Sequence, residues 1–436
     1  MLSSLMIPSF VRIYPIPVSY ELVFTFFLFL YTICLRVNKE VKVPFRYMEK
    51  WIVFFFIYYI FIRILFSFLC GYFKSSDILV LSYINVLFLS TMFFSVWFIT
   101  EKDSFERAGH YISIALLVIC IYGISTYILQ SNPYLLLLSK FTGSSKDYVD
   151  IAAQYANEVR GGLTSRISVL TYNPLQYAIL LNAFIFVPLY MFVKNKGKKY
   201  LVTIIFIVIN LFLTGSRGPL IAIIASTVFY FIKYQTFTSK VKYILLFICG
   251  FALILLLPGF EKYATFIKSV IFIFDQSASD AAEISGSSVS GRFLQLSGVL
   301  EILKSIDLRV LLFGYGAGYT EYYLSEYGFG TDVMGFESVL FSSLVNYGIV
   351  GFLLVDVVPW LFCAYCVHYL RENDKVSKKN TYILSSMLLT NVVYSFLVGS
   401  VYYILYFSIF FCLMKQMVME KREKQLESLL MLLRKK

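Results

Sequence analysis

The residues best suited to chemistry form a short polar turn between two apolar stretches. Residues Leu213 to Leu220 have the sequence LTGSRGPL, and each flanking apolar run is only about 15 residues long. A helix of that length covers about 22 Å, less than the roughly 30 Å hydrocarbon core of a bilayer, so Arg217 is predicted to lie below the membrane surface. Pro219 is typical of the start of the next helix, whose backbone N–H groups would favour an anion. The alternative is that Arg217 has no functional role and extends its side chain to the phosphates of lipid headgroups.

Further arginines occur in two other polar segments. Arg160 and Arg166 lie in EVRGGLTSRISVLTYNP, and Arg292 begins RFLQLSGVLEILKS. The segment 259–336 carries nine acidic and five basic side chains, so its arginines do not belong to a general cationic coat. For any single arginine a surface salt bridge is an alternative, but several arginines beside a recessed one would suit a diphosphate.

Glu337 is the carboxylate best placed to act as a general base, because it stands at the start of a long apolar segment. A capping role at the helix N-terminus is the alternative. The only histidines, His110 and His368, lie at predicted cytoplasmic helix ends. The outer segments contain no paired carboxylates at metal-binding spacing, which disfavours a metal-dependent transferase, and no cofactor is predicted.

A glycine-rich run, LLFGYGAGYTEYYLSEYGFG, resembles a phosphate-binding loop only superficially. No Lys-Ser or Lys-Thr pair follows it, so a tight turn after a helix explains Gly314, Gly316 and Gly318 better. The neighbouring tyrosines could form a platform for sugar rings, although tyrosine is abundant throughout the chain and often marks a membrane interface.

Membrane-spanning helices must position these residues. The 436 residues are 59% hydrophobic, and apolar runs of spanning length recur from end to end. We predict an all-α, multi-pass membrane protein of about eleven helices, or twelve if residues 1–17 add a short element. Two ionisable residues inside spans, Arg63 and Asp356, require partners that the sequence does not identify. The predicted spans are 18–36, 51–70, 78–100, 110–129, 170–193, 200–214, 219–232, 242–258, 346–369, 380–397 and 399–416.

The basic residues indicate the orientation of these helices. Lysine and arginine cluster in alternate short connections, which places those connections and the C-terminus in the cytoplasm. The net charge of +12 therefore reports topology and a lipid bilayer partner rather than a nucleic acid. Residues 1–436 are predicted to form one integral membrane domain with outer loops at 130–168 and 259–336 and an amphipathic cytoplasmic tail at 417–436.

The order of several motifs resembles the O-antigen polymerase and O-antigen ligase superfamily of bacterial cell-surface polysaccharide assembly. The resemblance covers roughly residues 160–370 and is carried by RISVLTYNPLQYAILL, LTGSRGPL, GRFLQLSGVLEILKS with LLFGYGAG, and ESVLFSSLVNYGIVGF. It implies a GT-C-like glycosyltransferase of the bacterial inner membrane with an outward-facing active site. It also implies an undecaprenyl-diphosphate-linked oligosaccharide as substrate, no metal, and a chain-length regulator protein as a candidate partner. The family's arginines fall on Arg166, Arg217 and Arg292, with Arg160 as a second candidate.

One difference between this sequence and the family helps to choose between the candidate functions. Ligases of this superfamily usually have a histidine where this sequence has Glu337, so the resemblance favours a polymerase that extends the glycan on a lipid-linked repeat unit. Arginines would stabilise the departing diphosphate, and Glu337 would deprotonate the acceptor hydroxyl. A ligase or another glycan transferase remains the alternative enzyme. A lipid-linked sugar flippase is the alternative of another class, although the polar residues concentrate in outer loops rather than inside spans.

Overall fold

The regular secondary structure that the computed structural model describes is almost entirely helical. The described residues are 102–142, 173–234, 261–271, 289–304, 307–316, 319–327, 336, 338–398 and 403–434, with parts of 51–66 and 150–171. The described residues of 51–66 are helical, and every regular element in the other ranges is a helix, as predicted.

The helices of these ranges are named in chain order. They are α1 (Lys102–Leu129), α2 (Pro133–Thr142), α3 (Pro174–Phe184), α4 (Phe186–Asn195), α5 (Lys198–Leu213), α6 (Arg217–Tyr234), α7 (Glu261–Ile271), α8 (Val289–Lys304), α9 (Leu308–Phe313), α10 (Tyr319–Tyr327), α11 (Val339–Phe352), α12 (Val358–Glu372), α13 (Lys378–Leu397) and α14 (Tyr403–Arg434).

Three stretches of the described chain are long and apolar enough to cross a membrane. They are Glu106–Leu129, Pro174–Asn195 and Val339–Glu372, which match the predicted spans at 110–129, 170–193 and 346–369. The predicted spans at 18–36, 78–100 and 242–258 lie outside the described residues, and the total of eleven spans stays a prediction. This is a membrane protein built from helices, as its composition indicates.

The helix at the centre of the bundle is α14. Every residue from 405 to 418 is buried, so this part of the helix is enclosed on all sides. Phe407 and Phe411 pack their rings 5.2 and 5.3 Å from Phe55, and α1, α3, α4 and α13 also contact the helix. A helix that is apolar around most of its circumference is buried in this way, and Ser408, Lys415 and Gln416 are buried with it. Beyond residue 423, α14 continues without a break into an exposed end that contains most of the predicted tail at 417–436.

The predicted outer loops contain ordered and buried structure. Residues 165–169, near the end of the first loop, are all buried against the helices. In the larger loop, α8 begins at Val289 and carries Arg292 in its first turn. A second, smaller core forms where α8, α9 and α10 pack on the first half of α11. Its buried members are Val299, Leu303, Phe336, Phe341 and Val345. Residues 276–288 of this loop lie outside the described residues.

Candidate functional site

The turn between α5 and α6 is buried within the protein, and its depth in the membrane stays a prediction. The two helices have 16 and 18 residues and so measure about 24 and 27 Å, short of the roughly 30 Å hydrocarbon core. Between them, Gly215 adopts a φ of +64°, a conformation that glycine tolerates best. The second helix begins at Arg217 rather than at Pro219. The proline is therefore the third helical residue, where its missing N–H removes only a donor that the helix itself leaves unsatisfied.

Arg166 joins the first outer loop to this turn. Its Nε donates to the Thr214 carbonyl at 2.9 Å, and its Nη2 donates to Ser216 Oγ at 3.2 Å. The side chain lies on Gly215, where an added Cβ would come within 3.2 Å of Arg166 Nε. A third donor, Nη1, forms an ion pair with Glu158 Oε2 at 2.7 Å. Two nitrogens of the guanidinium thus fix it against the turn, and the third is paired with Glu158.

Arg217 lies at the same turn and faces the larger loop. The residue is 5% exposed, and its Nη1 donates to the Ser269 carbonyl in α7 at 3.4 Å. Phe266, one turn earlier in α7, packs edge to face on Phe212 with ring centroids 5.2 Å apart. Two buried guanidiniums, 51 positions apart in the sequence, therefore flank the start of α6, where backbone N–H groups also favour negative charge.

The end of α13 connects this turn to the start of α11. A Cβ on Gly218 would lie 2.8 Å from Val398 Cγ2, so α6 and the end of α13 are in close contact. The Val398 carbonyl accepts a hydrogen bond from Val339 N–H at 2.8 Å, and Ser338 Oγ donates to the Ser395 carbonyl at 3.3 Å. The N-termini of α6 and α11 thus meet the same end of α13.

The remaining predicted site residues are less fully described. Glu337 and Arg160 lie outside the described residues, but Ser338, the neighbour of Glu337, is fully buried at the junction with α13. Arg292 lies in the first turn of α8. Among the predicted arginines, the structure brings Arg166 and Arg217 together.

The glycine-rich run makes a backbone crossing, as the predicted tight turn suggests. Gly314 ends α9 with a φ of +74°, and the N–H groups of Tyr315 and Gly316 donate to the carbonyls of Val345 and Asn346. On the other side of the crossing, α11 is interrupted at Gly348, where φ is +67°. A Cβ on either of these two glycines would come within 2.5 Å of backbone atoms of the opposite segment.

The tyrosines beside this crossing mostly support the smaller core. Tyr315 and Tyr319 stack with ring centroids 3.9 Å apart, and both pack against that core together with Tyr323. Burial, and next the neighbouring Tyr315, raise the pKa of Tyr319, so its phenol stays protonated at neutral pH. Tyr322 and Tyr327 are more exposed, at 39% and 63%.

Sequence reasoning missed Glu158 and Ser269. Glu158 could have been noticed from the sequence, because it lies eight residues before Arg166 and the only other charged residue between them is Arg160. Ser269 contributes a backbone carbonyl, which carries no sequence signal. Within the part of the chain that the structure describes, no group of three or more His, Cys, Asp or Glu side chains could hold a metal ion.

Residues 202–355 match a family model described as O-antigen ligase. The range contains Arg217, Arg292 and Glu337, whereas Arg160 and Arg166 precede it. The resemblance predicted from the order of the motifs is confirmed over this part of the chain. No curated protein matches the chain.

Proposed function

We propose that this chain, whose residues 202–355 are similar to the O-antigen ligase family, is a polysaccharide polymerase of the bacterial inner membrane. It transfers a growing O-antigen or capsule glycan from undecaprenyl diphosphate to the sugar hydroxyl of a lipid-linked repeat unit. The site faces the extracytoplasmic side, where the predicted outer loops lie. Neither a metal nor a cofactor takes part in this proposal.

The observation that carries the proposal is the pair of buried arginines at the start of α6. Arg166 and Arg217 are 6% and 5% exposed, so their charges are only weakly screened by water. Planar guanidiniums match phosphate oxygens with paired donors, and a helix N-terminus adds a favourable dipole. These groups suit a diphosphate that gains negative charge as it departs. Arg292 and Arg160 are proposed as further ligands of the same diphosphate.

Glu337 is proposed as the general base. The acceptor hydroxyl oxygen forms a bond to the anomeric carbon of the donor sugar while the bond from that carbon to the phosphate oxygen breaks. Glu337 takes the hydroxyl proton, and undecaprenyl diphosphate leaves with the bonding electron pair. The contact of α6 and α11 with one end of α13 supports this assignment, because Gly218 follows Arg217 and Ser338 follows Glu337.

The second candidate is a ligase, which the description of the matched family favours. A ligase would pass the same glycan to an acceptor that carries no diphosphate. We prefer the polymerase because Glu337 stands where ligases of the superfamily usually have a histidine, and the two described histidines lie on α1 and α12.

Proteoliposomes that contain only the purified chain and lipid-linked repeat units test the proposal. We expect a ladder of polymer without an ion gradient or a second protein. The Glu337→Gln variant should slow polymer formation by about a hundredfold or more, because the amide keeps the shape of the side chain but cannot accept a proton.

The matched control is Glu301→Gln, which removes an exposed carboxylate from α8. This variant should polymerise at the wild-type rate. In a parallel reaction that also supplies an acceptor without a diphosphate, transfer to that acceptor alone would identify a ligase. Movement of the lipid-linked sugar between leaflets without bond formation would identify a flippase. A fully active Glu337→Gln variant would place the base elsewhere.

A further inference from the structure

The ion pair between Arg166 and Glu158 bears on how the site receives its substrate. Glu158 Oε2 lies 2.7 Å from Arg166 Nη1, and the two side chains are 32% and 5% exposed. A buried guanidinium is therefore matched by a carboxylate that stays in contact with solvent. Sequence reasoning assigned no role to Glu158, and the proposed reaction does not use it.

Carboxylates and phosphates are alternative partners for one guanidinium. Both present oxygens that accept from the same N–H donors, and both neutralise the same charge. A diphosphate held by Arg166 would also lie close to Glu158, and two anions at short range disfavour each other. Glu158 and the diphosphate therefore compete for Arg166.

We propose that Glu158 is a resident counter-ion that neutralises Arg166 in the empty site and is exchanged for the lipid diphosphate when substrate binds. The inference rests on the diphosphate site of the proposed function and adds the step by which that site is filled and emptied. Glu158 contacts Arg166 and not the reacting atoms, so it is a positioning residue.

The difference in burial supports an exchange. A buried cation without a counter-charge is unfavourable, so the empty site needs an anion beside Arg166. The Glu158 side chain is one-third exposed, so water can solvate its carboxylate after release.

Arg166 does not need to move during this exchange. The Thr214 carbonyl and Ser216 Oγ hold its Nε and Nη2, and both acceptors belong to the turn between α5 and α6. The exchange replaces Glu158 at Nη1 and leaves these two contacts in place. After transfer, the returning Glu158 carboxylate competes with undecaprenyl diphosphate and promotes its release.

Binding of undecaprenyl diphosphate to the full chain in phosphatidylcholine nanodiscs tests the inference. Glu158→Gln removes the competing charge but keeps the size of the side chain. We expect its Kd to fall by about tenfold and its dissociation rate to fall with it. A residue that only supported the fold would not tighten binding when altered.

The matched control is Glu106→Gln, which removes the carboxylate of the ion pair with Lys194 between α1 and α4. Its Kd should equal the wild-type value. Glu158→Asp keeps the charge and shortens the reach to Arg166, so it should lower Kd by about twofold to threefold even where the glutamine variant does not fold.

Each outcome decides between the two proposals. A Kd that is unchanged or higher in the folded Glu158 variants would overturn the exchange and leave the diphosphate site intact. A wild-type chain that does not bind undecaprenyl diphosphate would refute the diphosphate site itself, and the exchange with it.

Discussion

Arg217 is held by parts of the chain that are distant in sequence. Its helix begins directly after the turn at Gly215, its Nη1 donates to Ser269 in α7, and its neighbour Gly218 contacts Val398. The backbone that carries this guanidinium is therefore held on two sides and the guanidinium itself contacts α7, and orientation matters more for binding a diphosphate than charge alone.

We predict that Arg217→Lys lowers kcat/KM for polymer formation by about tenfold to a hundredfold. The ammonium keeps the charge but loses the planar set of donors that matches phosphate oxygens. Steady-state rates in proteoliposomes measure the effect, and Arg217→Ala should be slower still.

Arg309→Lys is the control for this substitution, because Arg309 is exposed on α9. That variant should keep its wild-type rate. Wild-type rates in both Arg217 variants would remove this residue from the site.

A recessed position for Arg217 could be predicted from the sequence, because helix length can be compared directly with bilayer thickness. The contacts that bury its side chain within the protein could not be predicted. The contact with Ser269 depends on how a distant loop folds back, and the pairing of Glu158 with Arg166 depends on the path of the first loop. Neither path is determined by local periodicity.

At the scale of single helices, the packing of α11 depends on the interruption of this helix at Gly348. Gly348 has a φ of +67° and a ψ of −172°, a region that is essentially restricted to glycine. The interruption lets α9 and the glycine-rich run cross the helix at backbone distance. The sequence predicted a tight turn at Gly314, Gly316 and Gly318, but the segment that this turn crosses could not be identified, because a glycine indicates close approach without indicating what approaches it.

We predict that Gly348→Ala strongly destabilises the protein. The methyl group would meet the backbone nitrogen of Gly314 at 2.5 Å, and the unfavourable backbone conformation adds about 1–3 kcal/mol. Fluorescence-detected size exclusion after heating in detergent should show a clear loss of folded protein relative to wild type.

Gly197→Ala provides the comparison, since Gly197 has a φ of −75° and an added Cβ would mainly meet the Tyr200 ring. This variant should behave like wild type. Equal heat resistance of the two alanine variants would contradict the need for glycine at the crossing.

At the scale of the whole molecule, the charge pattern predicts one orientation. Residues 276–291 should face outside, and the basic connection 371–379 should face the cytoplasm. In a background without native cysteines, Ser287→Cys should react with an impermeant thiol reagent in intact cells. Lys375→Cys should react only after the membrane is opened. The reverse pattern would refute the orientation and the outward-facing site.

The enclosed part of α14 has a consequence for biogenesis. Residues 405–418 fill the centre of the bundle, yet α14 follows every other described helix in the chain. Translation delivers helices in sequence order, so the earlier helices enter the membrane before the one that they surround. The bundle must therefore keep its centre accessible until α14 has been translated. A premature stop codon before residue 405 would remove the core around which the other helices pack, and not only an exposed tail.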